Sequence, residues 1–301
     1  MALQFEPVSI EHKALVESYT KPWHIRGSEY TFTNIFIWGC GGRIRIAEKD
    51  GALFFLLKYE QVPEYMFAPV MRIGGDYEKV LALATEYCLE HDITPYYKGV
   101  SGPLTALFEG LPDYTLVEDR ANHDYVYAMT DLRDLSGKKF HSKRNHINQF
   151  KARYEDYEYV SLTPDMLEEC MSVYDQWRDN KHEKDDWGER DSVQLAIDQM
   201  HNLGLRGGAI RVGGVLSAFS LGERVDEEMA VIHIEKANAE LVGLFTMINQ
   251  QFVLHELGDM KWINREEDMG LEGLRRAKLS YNPAELLVKY EARYKKLPGL
   301  V

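Results

Sequence analysis

The chain has 301 residues, 45% of them hydrophobic and 28% charged, with a formal net charge of −13 at pH 7. That length suits one large or two medium domains, and the composition is that of a folded protein rather than a disordered or fibrous one. The acidic balance disfavours the whole surface as a nucleic-acid platform, and no apolar run reaches the roughly 18–20 residues that a membrane helix needs.

Residues 9–20 read as a short helix, with Ser9 as N-cap and Pro22 ending it. Residues 30–38, aromatic and β-branched, read equally as a strand or a buried helical turn. Residues 43–47 and 52–59 form a hairpin over Lys49-Asp50-Gly51. A helix over 78–91, a strand over 94–98, a helix over 103–109 and strands over 114–119 and 124–129 complete this part. Residues 137–154, GKKFHSKRNHINQFKARY, follow as a basic helix. Phe140, Ile147 and Phe150 supply one apolar edge. The segment holds six basic side chains and no acidic one, between two acidic flanks. Helices over 164–178 and 191–203 come next, then a hairpin of 205–212 and 215–223 across Gly213-Gly214. MAVIHIE, 229–235, is apolar enough for a central strand. A helix over 241–257, a strand over 261–264 and helices over 271–278 and 284–294 close the chain.

Each half thus runs helix, hairpin, central strand, helix, strand. The order predicts a duplicated α/β unit with mixed sheets. The expected domains are 1–135 and 155–301, with 136–154 as a basic connecting helix. Cys40, Cys88 and Cys170 stand apart without a CxxC pair, which favours a reducing, cytoplasmic setting and disfavours a disulfide framework or a cysteine metal site. The N-terminal residues carry no basic stretch followed by an apolar core, so no signal peptide is expected.

Residues 261–283, KWINREEDMGLEGLRRAKLSYNP, concentrate charge where a strand should leave its sheet, the edge at which ligands collect in open α/β folds. Arg265 has the planar fork for a carboxylate or phosphate, and Glu267 and Asp268 suit an ammonium. Helix capping by Asp268 is the plain alternative. On the central strand His233 and Glu235 alternate with Ile232 and Ile234. They share a face where a histidine can deprotonate an attacking amine or hydroxyl. The plain alternative pairs Glu235 with Lys236 or Arg265. Arg275 and Lys278 share one helix face. His182, Glu183, Asp185, Asp186 and Glu189 lack metal-site spacing and read as a substrate-covering loop. No GxSxG, Walker or GxGxxG pattern occurs.

Taken together, KKFHSKRNHINQFK (138–151), AVIHIEKA (230–237), INQQF (248–252) and INREEDMGLEGLRRAKLSYNP (263–283) resemble a bacterial family related to the C-terminal catalytic domain of phosphatidylglycerol lysyltransferases. The resemblance implies two GNAT-like (acyl-CoA N-acyltransferase) domains in tandem, as in Fem-type aminoacyltransferases. It also implies transfer of an aminoacyl group from charged tRNA to a lipid, peptide or small-molecule amine or hydroxyl. His233, Glu235 and Glu267 are then the candidate catalytic groups. Asn249, Asn264, Arg265, Asp268, Lys278 and Tyr281 would bind substrate. Lys138, Lys139, Lys143, Arg144, His146 and Arg275 would meet tRNA or other phosphates, and neither metal nor bound cofactor is implied. Coenzyme A thioester is the alternative donor, and a non-catalytic metabolite-binding protein derived from a transferase is the third reading. The stretch Glu240-Leu241-Val242-Gly243-Leu244-Phe245 departs from the pyrophosphate loop of acetyl-CoA-using GNAT proteins, since only Gly243 matches it.

Overall fold

The computed structural model describes residues 3–179 and 187–296. In chain order its strands and α-helices are β1 (Glu6–Pro7), α1 (Lys13–Thr20), α2 (Phe32–Trp38), β2 (Ile44–Lys49), β3 (Ala52–Tyr59), β4 (Val62–Phe67), β5 (Val70–Met71), α3 (Tyr77–Glu90), β6 (Tyr96–Ser101), α4 (Pro103–Phe108) and β7 (Tyr114–Glu118). These are followed by β8 (Asp124–Ala128), α5 (Met129–Asp134), α6 (His141–Arg153), β9 (Tyr157–Ser161), α7 (Leu167–Asp179), α8 (Glu189–Asp198), α9 (Met200–Leu203), β10 (Arg206–Val212), β11 (Val215–Arg224) and β12 (Met229–Ala237). The last are α10 (Leu244–Glu256), β13 (Trp262–Asn264), α11 (Glu272–Leu279), β14 (Glu285–Leu287) and β15 (Lys289–Tyr294). His182, Glu183, Asp185 and Asp186, expected in a covering loop, lie outside the described residues.

One sheet has the order β1-β2-β3-β4-β6-β15-β7, with β5 on β3, and the other β14-β8-β13-β12-β11-β10-β9. Both are built alike. A hairpin leads to a strand that pairs in parallel with the next strand but one helix away: β4 with β6 across α3, and β12 with β13 across α10. The other pairings between these strands are antiparallel, so both sheets are mixed. The repeated element order read from the sequence is therefore present in the fold.

The boundaries differ from the expected ones. The chain divides between His123 and Asp124 and returns to its first unit at Leu287, so 136–154 is not a connector. The reason is the strand beside each parallel pair. In the first sheet β15, from the end of the chain, lies between β6 and β7. In the second, β8, from before the basic helix, lies between β13 and β14. Residues 284–294, expected as a helix, form β14 and β15, because β6 and β7 leave a gap whose backbone groups only a strand can satisfy. Residues 30–38 settle as α2, with the Thr31 hydroxyl accepting from the Asn34 N–H at its start. The sequence reading passed over β4, α5 and β9.

The second unit packs around α10. Phe140, Ile147 and Phe150, the apolar edge read on the basic helix, are buried in one cluster with Met247, Ile248 and Phe252. The start of α10 comes close to α6 at Gly243. A Cβ there would lie 2.2 Å from the His146 carbonyl oxygen, and φ is +86°, so only glycine serves.

Candidate active site

The parallel pair β12 and β13 runs together for three residues on each strand, ending at Val231 and Asn264. Beyond that point β12 continues to Ala237, while the chain after Asn264 turns away along β8. There the Arg265 N–H bonds the Tyr125 carbonyl, and the Tyr125 N–H bonds that of Glu266. A wedge opens at the carboxyl ends of two parallel strands, the place where open α/β sheets bind ligands. The turn lining it is strained, with Glu266 at φ 59° and Met269 at φ 53°.

Polar side chains hold this turn. The Asn264 Oδ1 accepts the Glu266 N–H at 2.7 Å, and its amide donates to Asp124 at 2.9 Å. The Lys278 ammonium donates to the carbonyls of Arg265 and Glu267. Asp268 is fully buried. It accepts the Tyr125 hydroxyl at 2.6 Å, the Gly270 N–H at 2.8 Å and both arms of Arg275 at 2.8 and 3.0 Å. Burial alone would raise the Asp268 carboxyl, but these donors outweigh it and hold the group well below the usual carboxylate range. Asn264, Asp268, Arg275 and Lys278 therefore shape the turn, and their main contacts are internal. Glu267 is half-buried beside them.

Within the wedge, Glu235 is gripped from two sides. The Asn249 amide donates to one oxygen at 2.8 Å and Arg265 to the other at 2.9 Å. The Arg265 guanidinium lies 4.8 Å from the Tyr281 ring and 5.7 Å from the Tyr127 ring, a stacked cation placement. The plain alternative for Glu235, a pair with Arg265, is thus present, but the grip is incomplete. Arg265 Nη1 and Asn249 Oδ1 are buried without a hydrogen-bond partner. Each such group costs about 1–3 kcal/mol if nothing meets it. One vacant donor and one vacant acceptor flank a carboxylate.

His233 occupies a different environment from the one expected of a base. It is the extra residue at a bulge, where the partners of Leu221 and Gly222 on β11 are Ile234 and Ile232. Its Nδ1 meets Glu266 at 2.8 Å and its Nε2 meets Glu223 at 3.0 Å, with the side chain 1% exposed. Burial disfavours the charged ring, but the two carboxylates outweigh it and raise the imidazole to about 9. At neutral pH the ring is an imidazolium with both N–H groups engaged, and it has no lone pair to accept a proton. That both nitrogens meet carboxylates argues for a structural place for His233 and against the general-base role expected of it. Glu223 was missed because nothing local marks it: it reaches His233 only through sheet pairing.

The expected phosphate surface is dispersed. Arg144 donates to the carbonyls of Leu135 and Gly137, and Lys139 pairs with Asp131 at 2.8 Å. The His146 ring lies 3.4 Å from the Thr246 hydroxyl. Lys143 turns inward, its amine 3.7 Å from the centre of the Tyr281 ring. Lys138, Lys151 and Arg153 remain exposed on that segment. Tyr125 and Tyr127 were read only as strand residues. Their alternation on β8 was the available signal that both hydroxyls reach residues 265–278, and Tyr127 does so at the Lys278 carbonyl, 2.8 Å away. Among the described residues, no group of three or more His, Cys, Asp or Glu side chains is placed to hold a metal ion. No helix among them is long and apolar enough to cross a membrane.

Comparison with solved structures finds a conserved protein of unknown function from Bacteroides thetaiotaomicron, 34% identical, covering 97% of this chain and 100% of that one, with a TM-score of 0.87. The C-terminal domain of a putative lysylphosphatidylglycerol synthetase from Agrobacterium fabrum is 14% identical over 96% of this chain and 93% of its own, with a TM-score of 0.66. A tandem GNAT protein from the clavulanic acid biosynthesis pathway is 12% identical over 98% of this chain and 100% of its own, with a TM-score of 0.51, and shares the fold. Curated proteins give no match. The family model for the phosphatidylglycerol lysyltransferase C-terminal region matches residues 20–293, and so the chain, a tandem GNAT-like fold, belongs to that family.

Proposed function

We propose that the protein is an aminoacyltransferase, taking an α-aminoacyl group from an ester-linked donor such as charged tRNA and passing it to an amine or hydroxyl acceptor. The observation that carries this reading is the incomplete grip on Glu235. An α-aminoacyl group carries an ammonium one carbon from a carbonyl. Its ammonium complements Glu235 and the vacant Asn249 Oδ1, and its carbonyl oxygen complements the vacant Arg265 Nη1. As the acyl carbon is attacked, charge gathers on that oxygen, and a fixed guanidinium stabilises it there.

The start of α10 argues in the same direction. A phosphate held at a helix N-terminus needs open N–H groups and positive potential. Here α6 covers Gly243, and the His146 carbonyl presents its negative end at that point. Coenzyme A thioester donors have a poor seat, whereas an aminoacyl ester needs none there.

The test is calorimetry with a non-hydrolysable 3′-aminoacylamido-adenosine and its deaminated counterpart. The aminoacyl form is expected to bind about 10–100-fold more tightly, the scale of one lost charge-assisted contact. Glu235→Gln is expected to remove the difference. Equal binding of the two ligands, or tight binding of coenzyme A instead, contradicts the reading.

A further inference from the structure

Among the described residues four lysines are buried: Lys143, Lys236, Lys278 and Lys289. Three have oxygen partners. Lys236 meets Glu189 at 2.7 Å, Lys289 meets Glu29 at 2.6 Å, and Lys278 donates to two carbonyls. Lys143 differs. It is 7% exposed, and its amine lies over the face of the Tyr281 ring, 3.7 Å from its centre. At an amine buried in this way the ring face and the nearby Glu235 charge stand in for the water it has lost.

The groups facing it come from every neighbouring element. Glu235 projects from β12 and Arg265 from the turn after β13. Tyr281, after α11, offers its ring to the Lys143 amine at 3.7 Å and to the Arg265 guanidinium at 4.8 Å. On its own helix His146 reaches Thr246 of α10. Burial pushes the Lys143 amine down to about 8, Arg265 adds to this, and Glu235 opposes it. The amine therefore gives up its proton more readily than an ordinary lysine. Glu235 is engaged by Arg265 and Asn249, and His233 is a locked cation, so Lys143 is the base in the wedge whose lone pair is open.

We propose that Lys143 is the proton acceptor of the transfer, a role that rests on the aminoacyltransferase reading. The acceptor's nitrogen or oxygen forms a bond to the acyl carbon while its proton passes to the neutral Lys143 amine. The tetrahedral adduct then collapses with cleavage of the ester C–O bond. The departing ribose oxygen takes the proton from the Lys143 ammonium, which returns to the neutral amine. No other reactant is consumed.

An anion-binding role for Lys143 would be served equally by arginine, and a proton-accepting role would not, because a guanidinium stays protonated. Transfer kinetics are therefore compared for the wild type, Lys143→Arg and Lys143→Met between pH 6 and 10. Both variants are expected to lose about 10²–10³-fold in kcat, within the usual range for general-base help, with donor KM changed less than about threefold. The wild-type rise in kcat near pH 8 is expected to vanish in both. Retained binding of the aminoacyl-adenosine analogue shows that the variants are folded. Lys143→Arg within about tenfold of wild type, with the pH rise intact, overturns the proposal and leaves the functional reading standing. A wild type without transfer from any charged tRNA overturns both. A separate readout is competitive acetylation of the free protein followed residue by residue by mass spectrometry. A Lys143 midpoint near pH 8 supports the proposal, and one above pH 10 overturns it whatever the activity.

Discussion

At the scale of single residues the second unit separates charge that builds from charge that is left open. His233, clamped by Glu223 and Glu266, belongs to the first kind, and its raised imidazole makes stability depend on pH. The folded value of about 9 lies above the ordinary 6.5, so the stabilisation is complete below about pH 6.5 and is lost as pH rises through 9. At about 1.4 kcal/mol per unit this amounts to about 3 kcal/mol. Lys143 and Lys278, whose amines burial lowers from 10.5 to about 8, act in the opposite sense from about pH 8 upward, overlapping only the upper part of that range. The clean comparison is therefore urea unfolding of wild type against His233→Gln from pH 6 to 10. The gap between the two curves is expected to narrow with rising pH, and parallel curves would exclude a locked imidazolium. Much of the site was legible here. Glu235 and Arg265 were named because strand alternation and a strand-end position are local signals, whereas Asn249, on a helix, and Tyr281, after one, entered through the family resemblance. The clamp on His233 was not legible, since it depends on Glu223, which sheet pairing alone brings near. The inward turn of Lys143 was missed for a related reason. A basic residue on a basic helix reads as wet until the neighbouring helix shows which face is covered.

At the scale of elements the decisive contact is α6 on α10. Gly243 is a tight point of that contact, and in the sequence it was the one residue of its stretch that matched a phosphate loop. The fold gives it a packing role instead. Gly243→Ala is expected to destabilise the second unit by about 3 kcal/mol, since a methyl group would meet backbone rather than a movable side chain and φ is positive. Denaturant unfolding measures this directly, and a loss below about 0.5 kcal/mol would mean that the helices part without consequence. The basic composition of α6 hid its structural role: six charges outweigh three aromatic and aliphatic side chains in any average, yet Phe140, Ile147 and Phe150 are the ones that decide where the helix lies. The helix expected over 284–294 failed for the converse reason. Local propensity favoured it, and the unpaired edges of distant strands overrode that propensity.

At the scale of the whole molecule the chain is a duplication in which the first sheet takes back β15 from the end of the chain, while the second is built from the consecutive strands β8 to β14. Element order made the duplication visible, and the displaced strands β8 and β15 are why the expected boundaries fell at 135 and 154 rather than at His123 and Leu287. Only the second sheet was read from sequence as carrying the site, and its wedge brings together the vacant atoms on Arg265 and Asn249. Transfer of an aminoacyl group in this wedge is the proposed activity. It is tested most directly by incubating the full chain with tRNA charged with radiolabelled amino acids, using phospholipid vesicles and small amines as acceptors. Label leaving tRNA for the acceptor is measured beside thiol release from acetyl-CoA. Acceptor-dependent loss of label at least about 10²-fold above background is expected in the wild type, abolished in Glu235→Gln. Turnover of acetyl-CoA with no acceleration on any charged tRNA would contradict it.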